Sequence, residues 1–358
     1  MARAFGIGAP LGVAGREPGA APRLARPMIR GITAVLVSWN DEADLLEAVA
    51  ALARARALVP RGGVAVSLVV VDNGSGLSAA LVRERFPGAT VLANAENRGY
   101  GPAANQGAAA AAGEVVFFLN PDARVEGDPF TPLARLFDED PRVVAAAPRL
   151  VEMDGATPPR GRLVLAPPGR EDQATFQLRA LPTLAGDASE LLLLDHWRPN
   201  HRGRRRRRYA DEDRERGFAV EQAAAAALAV RREAFVRVGG FDERFVPAWY
   251  EDVDLCARLR AEGAIVYAPE ARVRHRGGES AARLGYARFL PVLYGNALRY
   301  RALHYGPAAR AVYRLLLAAG MTLRLALLPF RRDVPRERSD AARAYVRVLG
   351  LAVGLSRA

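Results

Sequence analysis

The sequence predicts an α/β fold: a doubly wound, mostly parallel sheet followed by a helical C-terminal extension. Three observations carry this. Short runs rich in apolar and β-branched residues, at 32–37, 65–71, 90–92 and 115–119, alternate with helical patterns, giving the order β-α-β-α-β-α-β. The runs are apolar almost throughout rather than alternating, as strands buried on both faces are. Polar clusters follow three of them, Ser38-Trp39-Asn40, Asp72-Asn73 and Asn120-Pro121-Asp122. Such sheets bind ligands beyond the carboxyl ends of their strands.

Taken in order, residues 1–29 are rich in Gly, Pro, Ala and Arg and contain no uninterrupted apolar stretch, so disorder is expected and a signal peptide is not. The first strand ends at Ser38. The next helix carries Leu45, Leu46, Val49 and Leu52 on one face. The second strand stops at the turn sequence Asp72-Asn73-Gly74-Ser75. Ser78 is placed to cap a helix bearing Leu81, Val82 and Phe86. A short third strand leads to Asn97-Arg98-Gly99-Tyr100-Gly101 and an alanine-rich helix, and the fourth strand reaches Leu119. Residues 153–217, rich in Pro, Arg and Gly and holding five consecutive arginines at 204–208, read as an irregular insertion. Regular structure is expected to resume at Val220, and residues 286–358 read as arginine-studded helices. The predicted organisation is therefore a disordered segment at 1–29, a catalytic-type domain at 30–285 and a helical region at 286–358.

With 358 residues, half of them hydrophobic and a quarter charged, the chain is globular in composition and long enough for a large core. Its formal charge of +12 favours an anionic partner such as a nucleotide or an acidic lipid. All 51 basic residues are arginine, a bias that makes any single arginine weak evidence of function. The single cysteine, Cys256, precludes an internal disulfide, fits a reducing, cytoplasmic compartment, and reads as a small buried packing residue.

Three motifs carry chemistry. Asp122, after an apolar strand, is well placed to hold a divalent cation that prefers oxygen ligands and shares them with phosphates; an ordinary Asn-Pro-Asp turn has the same sequence. Trp249-Tyr250-Glu251-Asp252-Val253-Asp254 opens a helix with carboxylates. The helix dipole favours carboxylates there, and a general base must also be an ionised group within reach of its proton. Asp254 and Arg258, four apart, read as a helix-surface pair. His275, before Arg276-Gly277-Gly278-Glu279-Ser280, suits either a structural role or a metal or phosphate contact. Asp72 suits a hydrogen bond to a base or ribose, and Arg98 suits a phosphate.

Together the motifs Val-Ser-Trp-Asn, Val-Asp-Asn-Gly-Ser, Glu-Asn-Arg-Gly-Tyr-Gly-Pro-Ala-Ala-Asn-Gln-Gly, Leu-Asn-Pro-Asp-Ala, Gly-Gly-Phe-Asp-Glu-Arg-Phe, Glu-Asp-Val-Asp-Leu-Cys-Ala-Arg and His-Arg-Gly-Gly-Glu-Ser resemble those of family-2 glycosyltransferases of the GT-A fold, rhamnosyltransferase-like branch. The likeness runs from about residue 32 to 280. It implies inverting transfer of a sugar, rhamnose by analogy, from a nucleotide diphosphate donor, with Mg2+ or Mn2+. On that resemblance Asp122 and His275 hold the metal and Asp252 is the base. Ser38, Asn40, Asp72, Arg98, Asn105 and Asn120 line the nucleotide sugar, and Trp249 and Glu251 face the acceptor, a glycan or a lipid-linked sugar in cell-envelope synthesis. No nucleic-acid partner is implied.

The chain departs from the pattern in three places. The metal motif reads Asn120-Pro121-Asp122, so only one of its carboxylate positions is filled, as is similar in this branch; residues 223–227 are all alanine where such proteins often carry Gly-Ala in a loop facing the acceptor; and the arginine-rich insertion is unusual. Two rival readings remain. A dinucleotide-dependent oxidoreductase would need Gly-x-Gly-x-x-Gly after the first strand, where Ser38-Trp39-Asn40-Asp41 stands. A non-catalytic sugar- or nucleotide-binding protein on a decayed transferase fold would not need Asp122, Asp252 and His275 together. Finally, residues 312–330 are largely apolar but interrupted by Arg314 and Arg324. On a helical wheel Arg310, Arg314 and Arg324 fall within about 80°. That predicts a basic stripe on a helix lying at the inner face of the membrane rather than crossing it.

Overall fold

The computed structural model describes residues 28–153, 177–277, 284–330 and 338–355. The expected disorder of residues 1–27, the first half of the insertion and Gly278-Glu279-Ser280 lie outside the described residues.

The four expected strands form: β1 (Gly31–Ser38), β2 (Ala65–Asp72), β3 (Thr90–Ala93) and β4 (Val115–Leu119). They are parallel neighbours in the order β3-β2-β1-β4. Every residue of β4 is buried, the result expected of an apolar run. The helix α1 (Glu42–Leu58) packs its Leu45, Val49 and Leu52 face into one core. The helix α2 (Ala79–Arg85) follows Ser78, whose side chain makes no capping hydrogen bond, so that expected cap is absent.

The alanine-rich helix is α3 (Tyr100–Ala109). Its buried face of Ala103, Ala104, Gly107 and Ala108 lets it lie close on the sheet. A Cβ at Gly107 would sit 2.4 Å from Val35 Cγ1. Small residues here set the distance between the helix and β1.

Beyond β4 the sheet turns mixed. The strand β5 (Ala123–Glu126) leads to α4 (Phe130–Glu139) and then β6 (Val143–Glu152). The second half of the insertion is not irregular. It holds β7 (Leu178–Arg179), α5 (Leu184–Leu191, capped by Thr183), α6 (Leu194–Trp197) and α7 (Arg202–Arg207). In α7 the helix propensity of arginine, close to that of leucine, outweighs Gly203. The chain returns through β8 (Phe218–Val220), β9 (Gln222–Ala223) and β10 (Ala227–Arg231) to α8 (Arg232–Arg237), α9 (Glu251–Leu259) and the long β11 (Ala264–His275).

The strand order in the nine-stranded sheet is β3-β2-β1-β4-β10-β6-β11-β5, with β8 on β11. Strand β10 runs antiparallel between β4 and β6, and β11 runs parallel to β6 but antiparallel to β5. That last pairing matters most for the site. It places His275 opposite Ala123, next to Asp122 and at the carboxyl end of β4.

Three helices close the chain: α10 (Tyr286–His304), α11 (Gly306–Leu327) and α12 (Arg338–Val353). They share a core that includes Leu290, Leu298, Tyr313, Leu317, Met321 and Val348, to which Leu191 of α5 also contributes. The segment Gly306–Phe330 is long and apolar enough to cross a membrane by length and composition, but here α11 packs against α10, α12 and α5. The expected outward stripe is not formed. Arg324 is buried, and its guanidinium donates to the carbonyl oxygens of Leu191 (2.5 Å), Gly320 (3.1 Å) and Glu190 (3.2 Å). Arg314 donates to Ala352 O at 2.7 Å, which leaves Arg310 alone exposed of the three. The carbonyls at the C-terminus of α5 have no partners within that helix and attract a cation.

Candidate active site

The site assembles at the carboxyl ends of β1, β2 and β4. At β1, Ser38 is buried and donates from Oγ to Asp41 Oδ1 at 2.5 Å. Asn40 adopts a left-handed backbone (φ 55°) and donates its N–H to Ser75 Oγ at 3.0 Å. This joins the β1 and β2 loops, and Asn73 N donates to Ser38 O at 2.8 Å to the same effect.

Asp72 is buried, and its own loop uses its carboxylate. The Ser75 and Leu77 N–H groups each donate to one oxygen at 2.8 Å. Burial pushes the carboxyl upward, yet these backbone donors outweigh it and hold the group below its ordinary range. Asp72 thus shapes the loop in this structure.

Asn73, which sequence reasoning passed over, is the hub of this corner. Its side chain donates to Asn97 Oδ1 (2.9 Å) and Gly99 O (3.1 Å) and accepts from Asn94 Nδ2 and Arg98 N, both at 3.1 Å. The backbone of Arg98 is fixed while its side chain remains exposed. A turn-type Asp-Asn dipeptide gives no hint that Asn73 satisfies four separate hydrogen bonds.

Asn105 does not join this group. Its Nδ2 donates to Phe241 O at 2.9 Å and Glu243 Oε1 at 3.2 Å, and its Oδ1 accepts from Phe241 N at 2.8 Å. All three bonds go to the Gly239-Gly240-Phe241-Asp242-Glu243 loop. Asn105 therefore pins that loop in this structure.

At the end of β4, Asp122 and His275 meet. The distance between His275 Nε2 and Asp122 Oδ1 is 3.3 Å, and both side chains are largely buried. Burial raises the Asp122 carboxyl, but the adjacent His275 more than offsets this, so the group stays ionised. Beside the pair, Asp44 of α1 holds Arg276 (3.0 Å) and Arg124 (3.2 Å), and Arg124 also pairs with Glu47 (2.8 Å), a charge-balanced cluster that the sequence did not announce. No cluster of three or more His, Cys, Asp or Glu exists among the described residues. One carboxylate and one imidazole suit an ion that completes its shell with diphosphate oxygens and water, which is how Mg2+ and Mn2+ bind at phosphate sites. The residues present fit such an ion.

The carboxylate cluster lies across the alanine run. Asn120 N donates to Ala226 O at 3.0 Å, and Ala225 N donates to Asp252 Oδ2 at 3.4 Å. Residues 225–226 thus span from the β4 end to α9. Ahead of α9, Trp249 and Tyr250 both adopt left-handed backbone angles (φ 72° and 74°), sparsely populated for such bulky residues and held in place by surrounding contacts. Trp249 meets Phe289 edge-on at 4.7 Å and its carbonyl accepts from Asn296 at 2.9 Å. Tyr100 N, at the start of α3, donates to Pro247 O at 2.8 Å, tying this segment back to the donor side.

Glu251 is buried and its Oε2 has no hydrogen-bond partner among the described residues. Burial, then the Asp252 charge, pushes its carboxyl well up. Asp252, half-buried, is also raised by burial despite donors from Val253 N and Ala225 N. Asp254 is not a surface residue: it is 2% exposed and accepts from both Arg258 (2.5 Å) and His304 Nε2 (2.7 Å). The Asp254–Arg258 pair forms as the spacing predicts, but in the interior, where it joins α9 to α10. Cys256 is fully buried with its thiol pushed up to about 12, the packing residue expected.

Comparison with known proteins follows from this geometry. The family model described as "Glycosyl transferase family 2" matches residues 33–190, and "Glycosyltransferase like family 2" matches residues 214–313. The chain is 31% identical over 234 residues to N-acetylglucosaminyl-diphospho-decaprenol L-rhamnosyltransferase of two strains of Mycobacterium tuberculosis, covering 61% of this chain and 69% of the relative. A crystal structure of GalNAc-T7 with UDP, GalNAc and Mn2+ superposes with a TM-score of 0.54 at 16% identity, over 90% of this chain and 56% of that one. This last likeness bears on the fold alone.

Proposed function

We propose that this chain, which belongs to glycosyltransferase family 2, transfers a sugar from a nucleotide diphosphate to an acceptor hydroxyl by a single inverting displacement. The observation that carries the reading is the Asp122–His275 pair at 3.3 Å, linked through Asn120 and residues 225–226 to Asp252. On this reading Ser38, Asn40, Asp72, Arg98 and Asn120 serve the donor, and Trp249, Glu251 and Asp252 serve the acceptor.

Asp252 takes the proton of the acceptor hydroxyl as that oxygen attacks the anomeric carbon. Glu251 beside it, with an unpartnered buried oxygen, is available to hold a second hydroxyl of the bound sugar. Arg124 and Arg276 are neutralised by Asp44 and Glu47, so the positive charge that the leaving diphosphate needs falls to the metal. A divalent ion held by Asp122 and His275 supplies charge neutralisation to that leaving group. No covalent intermediate on the protein is needed.

The mycobacterial relatives are named for L-rhamnose transfer to N-acetylglucosaminyl-diphospho-decaprenol, a lipid-linked sugar, which supports a nucleotide-rhamnose donor, a lipid-linked acceptor and work at the cytoplasmic face of the membrane in envelope synthesis. The test is a thermal-shift screen of nucleotide sugars with and without Mn2+. A true donor at a hundredfold excess over its Kd adds about 2.7 kcal/mol of stability. That gain is expected with metal, and is expected to vanish with a chelator and in Asp122→Asn. A donor that stabilises equally in the chelator would contradict the metal assignment, and no stabilisation by any nucleotide sugar would contradict the function.

A further inference from the structure

The helices at 184–207 form a small amphipathic platform. Asp195 of α6 lies at its centre. It accepts from Ser189 of α5 at 2.5 Å, lies 2.6 Å from His201 Nε2, and accepts from Arg207 of α7 at 2.7 Å. Arg204 also turns inward, donating to Pro199 O at 2.9 Å. These bonds commit one face of each short helix to the interior. What remains outside is Leu194 and Trp197, 53% and 76% exposed, with Arg198, Arg202 and Arg206. The three arginines are exposed, and their guanidinium groups make no hydrogen bond or ion pair among the described residues. A solvated face would place polar groups where Leu194 and Trp197 stand. A protein core would not surround them with unpaired guanidinium groups.

An exposed tryptophan and leucine ringed by free arginines match one partner: the headgroup region of an anionic bilayer. Indole rings settle at that depth, arginine stems snorkel there, and each basic residue gains attraction to acidic lipid. The platform is also connected to the catalytic side. Asp187 of α5 forms a buried ion pair with Arg301 of α10, whose neighbour Tyr300 packs 5.7 Å from Tyr250, the residue before Glu251. Leu184 and Leu191 of α5 share a core with Tyr250.

We infer that Leu194, Trp197, Arg198, Arg202 and Arg206 form the surface by which the protein docks on anionic membrane, next to the acceptor side of the site. The inference rests on the lipid-linked acceptor proposed above for its purpose, but not for its test. The experiment is flotation of full-length protein with phosphatidylcholine vesicles, with and without phosphatidylglycerol. Circular dichroism confirms the fold of each variant. Wild type is expected to float with the anionic vesicles and to be released by high salt. Arg198→Gln/Arg202→Gln/Arg206→Gln should bind about 100-fold more weakly. Leu194→Ala/Trp197→Ala should lose binding at physiological salt. Val312→Ser/Leu315→Ser, on the exposed face of α11, should float like wild type. The inference is overturned if wild type does not float, if it self-associates through this face instead, if the platform variants float as wild type does, or if only the α11 variant loses binding. Transfer to a soluble acceptor, measured in parallel, reports on the proposed function separately, because flotation requires no turnover.

Discussion

Glu251 and Asp252 are adjacent carboxyls raised by burial, and both bear on the chemistry. For an acid whose folded value lies above its unfolded one, the stability contribution is fully present below the unfolded value, about 4.3 for glutamate. It is lost as pH rises through the folded value. Glu251→Gln removes that loss, so its Tm relative to wild type should rise between pH 4 and pH 8. A Tm difference that does not change with pH would mean that Glu251 is not held neutral by its surroundings. The same burial should place the acid limb of kcat/KM above the ordinary carboxylate range, as the pair titrates together. Little of this was legible in the sequence. Glu-Asp at a helix start announces ionised carboxylates favoured by the dipole, and only the closure of the alanine loop and α3 over them reverses that expectation. The Asp122–His275 contact was equally hidden in spacing, since a strand register rather than a motif brings the two together. Their residue types were legible because an apolar strand ending in a carboxylate and a strand ending in His-Arg-Gly-Gly each stand out on their own.

Strands β1 to β4 were legible because a continuous apolar run has one comfortable place in a parallel sheet. The insertion was not, because arginine counts as polar in any pattern while its stem and fork also pack and bond inward, as Arg204 and Arg207 do. Asn105 marks a similar limit: a polar residue in a glycine-rich helix reads equally well as a ligand contact or as a loop anchor. Asn105→Ala should lower the unfolding free energy by about 1–3 kcal/mol, the cost of leaving the Phe241 backbone groups without partners. It should leave donor affinity nearly unchanged. Urea unfolding and donor titration check the two parts. A tenfold loss of donor affinity at unchanged stability would restore Asn105 to the nucleotide site. Gly107 belongs to the same scale. A Cβ there overlaps Val35 of β1, so Gly107→Val should push α3 off the sheet and cost more than Asn105→Ala in the same assay.

Over the whole molecule, the catalytic domain could be read from motif order, whereas the C-terminal helices could not be oriented. A helical wheel gives the angle of each arginine but not what lies beside the helix. The carbonyls of Glu190 and Leu191 at the C-terminal end of α5 draw Arg324 inward and undo the stripe. In the fold, Asp254–His304 ties α10 to α9, which carries Asp252, and Asp187–Arg301 ties α10 to α5. In the proposed chemistry a carboxylate on α9 removes the acceptor proton while Asp122 and His275 serve the donor. Turnover of nucleotide sugar by Asp252→Asn beside wild type, with donor affinity titrated on the same samples in Mn2+, separates these roles. Donor affinity is expected to be unchanged and turnover lower by about a hundredfold or more. Near-normal turnover in Asp252→Asn would rule out Asp252 as the base.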